Sequence, residues 1–187
     1  MNKSTNPASK LPVVPAHLIF PFILITMCFP LWGFANDITN PMVSSFRTIL
    51  LLQNWQSALV QMAFYGGYFA MAFPAALFIK RYSYRAGILM GLGLYALGAM
   101  IFYPASFSMA FAPFIFAYFI LTCGLSFLET SANPYILSMG PEETSTQRLN
   151  LAQAFNPLGS LIGMFTAKEV ILSKLDPASY QERINLL

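Results

Sequence analysis

The stretch TCGLSFLETSANPYILSMG, residues 122–140, contains Glu129, the single formally charged side chain between Arg85 and Glu142. An acidic residue at the middle of a bilayer costs about 2.5–3.5 kcal/mol on insertion scales. An acid kept in such a run calls for a use, and Glu129 is the first functional candidate. The surroundings of this stretch set the fold class. The chain is 57% hydrophobic and only 9% charged, whereas soluble domains carry about 25% charged residues. This is the composition of an integral membrane protein.

A hydrocarbon core about 30 Å thick is crossed by roughly 20 helical residues. Stretches of that length lie near 17–44, 57–79, 86–105, 109–139 and 149–173, the last with Lys168 and Glu169 in its final turns. Backbone polar groups in lipid must be paired internally, which leaves helices or a closed barrel. Runs such as FAPFIFAYFILTCGLSFL lack the two-residue alternation of a barrel strand. The expected fold is therefore all-α, a polytopic transmembrane helix bundle of about five spans. Lys3 and Lys10 precede the first span, and Lys80, Arg81 and Arg85 crowd the link between the second and third. The positive-inside rule puts these segments, with the amino terminus, in the cytoplasm. Arg148 after the fourth span fits a cytoplasmic loop, and Arg47 is an exception on the outside. The first apolar stretch is too long for a signal-peptide core and contains Asp37, so it reads as a retained helix.

Several function classes drop out. His17, the one histidine, has no acidic or thiol neighbours, so no metal site is expected. Phosphate-cradling loops and nucleophile elbows are missing from the sequence, so no catalytic residues and no cofactor are expected. The net charge of +3 is spread over loops and reflects membrane orientation, not nucleic-acid binding. Cys28 and Cys123 both fall inside spans, so no disulfide framework is indicated.

The polar residues inside the spans follow a pattern. Gln61, Tyr65 and Tyr68 recur at helical spacing and form a stripe along the second span. Tyrosines also anchor at membrane interfaces, and Gln61 tilts the reading toward a cavity. The first span offers Asn36, Asp37 and Asn40, followed by Pro41. Proline lacks an amide hydrogen, so the carbonyl four residues before it loses its helical partner. That logic applies again at Asn133-Pro134, where Asn133 shares a face with Glu129, and at Asn156-Pro157, downstream of Asn150 and Gln153. Proline-broken helices in membranes are tolerated where the freed groups meet protein or water, as in transporters. Asn36, Asn150 and Asn156 also serve as interhelical glue, a role worth about 0.6 kcal/mol per bond. Gly87, Gly91, Gly93 and Gly98, with Gly159 and Gly163, read as packing surfaces.

In order and spacing, LWGFANDITNP, FLETSANPYILSMGPEET and RLNLAQAFNPLGS resemble the amino-terminal half of the fucose:proton symporter family of the major facilitator superfamily. The resemblance runs from about residue 20 to 175. It implies a twelve-helix sugar transporter working by alternating access, multi-pass in the bacterial inner membrane. It also implies that Glu129 is the proton-coupling acid and that Gln153 contacts sugar. The family's other cavity acid aligns with Asn40, and this chain carries its acid one turn earlier, at Asp37, on the same helical face. Residues 1–16 would be a cytoplasmic tail, 17–175 a partial amino-terminal bundle, and 176–187 a loop cut short before a sixth helix. The carboxy-terminal half would be the missing partner.

The expected activity is proton-coupled import of a hexose-type sugar, L-fucose first, with glucose, galactose or N-acetylglucosamine as alternatives. Its partners are the sugar, membrane lipid and the co-transported proton. Desolvation penalises the charged form of a carboxyl group, which suits an acid meant to carry a proton. Asn133, Gln153, Gln61 and Tyr65 would bond sugar hydroxyls, with Trp32 or Phe34 stacking on a sugar face, and Tyr68, Asn36 and Asn40 completing the polar set. An intramembrane aspartyl-type enzyme is disfavoured because no aspartate pair is present. A small five-helix assembly protein pairing through the Gly87–Gly91 face is the rival from another class.

Overall fold

Prolines lie just after some of the helix breaks of this chain, and others sit inside helices. The computed structural model describes residues 11–49, 54–108, 110–171, 173 and 185. After a 3-10 turn at Ala16–Leu18 come α1 (Ile19–Thr26) and α2 (Cys28–Ile49). They are separated at Met27, one turn before Pro30, whose missing amide leaves the Thr26 carbonyl without its helical donor. The stretch expected as one helix over 17–44 is thus two, and α2 runs on through Pro41. Next come α3 (Asn54–Arg81) and α4 (Tyr84–Ser108). Ser83 closes the tight link between them by accepting the Ala86 amide at 3.1 Å, a helix cap.

The central helix is α5 (Phe111–Leu137), buried continuously from Leu121 to Leu128. Three of its hydroxyls satisfy themselves on the preceding turn. Thr122 donates to the Tyr118 carbonyl at 2.8 Å, Thr130 to Ser126 at 2.8 Å and Ser131 to Phe127 at 2.6 Å, so none is left unpaired in an apolar interior. A 3-10 turn at Glu142–Thr144 leads to α6 (Ser145–Gln153) and α7 (Asn156–Thr166), and a π-helical turn follows at Ala167–Ile171. The expected fifth span is therefore broken at Ala154–Phe155, just before Pro157. Among the described residues, four stretches are long and apolar enough to cross a membrane: Ala16–Ile38, Ala58–Arg81, Tyr84–Ala105 and Phe111–Leu137. No strand occurs among the described residues.

Glycines determine which helices touch. A Cβ on Gly98 would sit 2.5 Å from the Leu121 amide nitrogen, and one on Gly124 would sit 2.5 Å from that of Tyr95. Gly87 and Gly91 press on Ser131 and Leu128, so α4 and α5 meet with no room for side chains between them. Gly93 faces open space and takes no part. In the same way α7 lies on α2: Gly159 against the Pro30 carbonyl, Gly163 against that of Phe34, and Gly33 against that of Asn156. With α3 also packed on α5, the chain forms one block of α3, α4 and α5 and a second of α2 and α7. Side chains join the blocks. Phe22, Ile25 and Phe29 meet Ile88, Leu128 and Ile136 in one core cluster, and Ala35 meets Leu121 and Leu125 in another.

Among the described residues, the largest fully buried side chain is a cation. Arg148, read from sequence as a loop charge, is 0% exposed. It donates to the carbonyls of Ile136 (3.2 Å), Leu137 (2.8 Å) and Val13 (3.1 Å) and to the Thr144 hydroxyl (2.8 Å). Two of these carbonyls end α5, where the helix dipole favours a positive charge. The third belongs to the amino-terminal segment, which Arg148 straps across the end of α5. A guanidinium suits this place because its five fixed donors reach several carbonyls at once.

Candidate functional site

Glu129 stands on the turn of α5 just before Pro134, half-buried, and lines a cavity of about 700 Å³ between α3 and α5. Tyr65, Tyr68 and Phe69 from α3 and Asn133 from α5 are among its walls. The volume lies within the usual range of small-molecule pockets, and the lining has their usual make-up of aromatic surface with a few placed polar groups. Ser126, one turn before Glu129, donates to the Tyr68 carbonyl at 3.2 Å and so ties the two walls together. The Tyr68 side chain interacts with those of Trp32 and Asn36 on α2 and lies close enough to the Glu129 carboxyl to feel its charge. Its ring leans on Phe64 at 5.3 Å. Tyr68 thus links α2 to the wall of the cavity that Glu129 also lines.

The two amides expected on opposite sides of the 4–5 connection are joined. Gln153 at the end of α6 donates to the Asn133 carbonyl oxygen at 3.4 Å. Asn156 at the start of α7 donates to the Phe29 carbonyl at 3.3 Å, the gluing role expected of it. Asn150 is exposed on α6. Asp37 and Asn36 are half-buried on α2, and neither lines the Glu129 cavity. The Asn40 side chain lies outside the described residues.

The expected α3 stripe divides. Tyr65 and Tyr68 face the cavity, while Gln61 is exposed one turn away and takes no part in its lining. Phe69, Ala72 and Ser126 also line it, with Thr130 and Pro134, and those first three were not singled out in the sequence. Phe69 follows Tyr65 by four residues, Ala72 follows Tyr68 by four, and Ser126 precedes Glu129 by three. The helical repeat carried that signal, hidden because the residues are small or apolar. Among the described residues no cluster of histidine, cysteine and acidic side chains is arranged to hold a metal ion.

Residues 16–173 match the Major Facilitator Superfamily profile. The chain is 56% identical to an L-fucose-proton symporter of Haemophilus influenzae, over 94% of this chain and 41% of that protein. It is 43% identical to an L-fucose-proton symporter of Escherichia coli, over 84% of this chain and 36% of that one. A glucose/galactose transporter of Brucella abortus is 36% identical over 86% of this chain and 39% of its own length. The fold superposes on the crystal structure of the transporter FucP in the outward conformation with a TM-score of 0.74 and 40% identity, covering 88% of this chain and 42% of that one. The chain spans about two-fifths of the length of these relatives.

Proposed function

The chain belongs to the Major Facilitator Superfamily, a multi-pass membrane protein, and from that premise we propose that the whole protein imports L-fucose together with a proton by alternating access. The observation that carries this reading is Glu129, an acid in an apolar helix lining a ligand-sized cavity with Tyr68 and Asn133. Similarity supports it, because the relatives at 56% and 43% identity are L-fucose-proton symporters.

In this reading Glu129 meets water on alternate sides of the membrane. It takes a proton on one side and surrenders it on the other, and the occupied cavity permits the change of side. Asn133 and Gln153, already in contact, bond sugar hydroxyls, while Tyr65 and Tyr68 supply aromatic faces with polar tips. Asp37, on the helix that also carries Trp32 and Asn36, serves as a second acid on the path. Asn36, Asn40 and Gln61 contribute further amides. The protein sits in the bacterial inner membrane with its amino terminus in the cytoplasm, the side favoured by Lys80, Arg81 and Arg85. A carboxy-terminal half, within the additional length of the relatives, closes the cavity from the other side.

The test is sugar uptake by the full-length protein in proteoliposomes under an imposed pH gradient, with L-fucose, galactose, glucose and N-acetylglucosamine compared. L-fucose should accumulate, and Glu129→Gln should abolish accumulation while sparing sugar exchange. Preferential uptake of glucose or galactose would move the substrate to that of the Brucella relative. Accumulation that survives Glu129→Gln would remove the carboxyl from the coupling step.

A further inference from the structure

A second cavity, of about 500 Å³, lies below the first along α5. Its walls come from α3 (Ala76, Ile79, Lys80), the α3–α4 link (Ser83, Tyr84) and α5. Thr130 and Pro134 line both cavities. Successive helix residues are about 100° apart, so Glu129 and Asn133 form one stripe of α5 and Thr130 and Pro134 the adjoining one. The two cavities therefore meet across these two residues, immediately beside the acid.

The chemistry at the junction suits a proton. Pro134 has no amide hydrogen, so it gives the Thr130 carbonyl no helical donor. The Thr130 hydroxyl spends its hydrogen on the Ser126 carbonyl, which leaves its oxygen as a second acceptor. Further down, the Ser83 oxygen accepts the Ala86 amide and keeps its own hydrogen to donate. The cavity has room for on the order of ten waters at ~30 Å³ each. It ends at Lys80, in the basic cluster that marks the cytoplasmic face. Its lower wall is fixed: Arg85 donates to the Tyr135 hydroxyl at 3.1 Å, and the Tyr84 and Tyr135 rings lie 6.0 Å apart. Among the described residues, none of α2, α6 or α7 lines it, and those helices carry Asn36 and Gln153.

We propose that the proton given up by Glu129 leaves toward the cytoplasm through this α3–α4–α5 cavity, past the Thr130 carbonyl, by a branch separate from the sugar's amide-lined path. The transfer is from the carboxyl group to water, leaving a carboxylate, and the proton passes along water to the bulk beyond Lys80. The proposal rests on Glu129 as the coupling acid, and the experiment separates the two.

Ala76 lines the lower cavity and is not among the residues lining the cavity of Glu129 and Asn133. In the full-length transporter, Ala76→Phe fills the branch. It should lower proton-driven accumulation by about tenfold or more and leave sugar exchange within about twofold, as loss of a proton-transfer route requires. Exchange in this variant should keep its dependence on pH because Glu129 still titrates, whereas in Glu129→Gln that dependence should vanish. Unchanged accumulation in Ala76→Phe, with Glu129→Gln behaving as expected, overturns the branch alone. Equal loss of accumulation and exchange in a folded Ala76→Phe protein also overturns it, since the cavity would then belong to the sugar path. Should Ala76→Phe fail to fold, Ala76→Cys in a chain with Cys28 and Cys123 replaced decides the matter. Modification by a membrane-impermeant thiol reagent from the cytoplasmic face alone supports the branch, and any other pattern overturns it.

Discussion

Replacing Arg148 by methionine keeps most of its bulk and removes every donor from the end of α5. The guanidinium makes four hydrogen bonds of 2.8–3.2 Å, three to carbonyls and one to a hydroxyl. Hydrogen bonds to charged groups contribute about 1.5–3 kcal/mol each, so four at the low end give about 6 kcal/mol. Burying the cation offsets several kcal/mol of that. The methionine variant is spared that cost but leaves the carbonyls of Val13 and Leu137 without the Arg148 donor, at about 1 kcal/mol each, while the Ile136 carbonyl keeps the Met139 amide at 3.1 Å. A net loss of about 3 kcal/mol is expected, which lowers the unfolding midpoint of the full-length protein by a few degrees. Lysine keeps the charge but loses the planar fork, so its loss should be intermediate. Thermal unfolding of the full-length protein in detergent measures the shift, and hydrogen exchange over residues 11–18 should quicken first, because the strap across α5 is released. A methionine variant as stable as the parent, with the strap equally protected, would show that the buried arginine does not hold the segment.

Further outcomes follow from the packing and the site. Gly98→Ala should destabilise the bundle because its Cβ would fall 2.5 Å from the Leu121 nitrogen. Gly93→Ala, facing open space, should be neutral or gain up to about 1 kcal/mol of helix propensity; the two midpoints can be compared in the same detergent. Gln153→Leu removes the donor to Asn133 from an exposed position and should raise the KM for sugar by about tenfold, as loss of one polar contact of 1–2 kcal/mol predicts, while leaving the melting temperature unchanged. Ser126→Ala should cost about 1 kcal/mol of stability by releasing the Tyr68 carbonyl, measured by the same thermal assay.

Glu129 was legible in the sequence because the cost of an acid in hydrocarbon is large enough to mark a position without knowledge of its neighbours. The helical bundle was legible for a similar reason, since composition and the demand for internal backbone pairing leave few solutions. Helix continuity was not. Pro41 and Pro134 were expected to disturb their helices and sit inside them, while Pro30, which was not singled out, separates α1 from α2. A proline frees a carbonyl wherever it falls, and tertiary packing determines whether the helix bends or ends there. Arg148 misled because charge after a span reads as loop, and only the fold brings three carbonyls and a hydroxyl around it. Gln61 shares a helical stripe with Tyr65 and Tyr68, yet α5 meets α3 one turn further along, and periodicity alone cannot supply that register.

Helices that touch main chain to main chain at Gly33, Gly159 and Gly163, or at Gly91, Gly98 and Gly124, cannot roll on one another without collision. Each block therefore behaves as a single stiff lever. The proposed exchange of faces across the membrane would tilt whole levers, with the slippage between the blocks falling in the side-chain layers around Phe29 and Ala35. A pair of spin labels on α4 and α5 would then report a fixed separation through the cycle, while a pair spanning α2 and α4 would register the stroke.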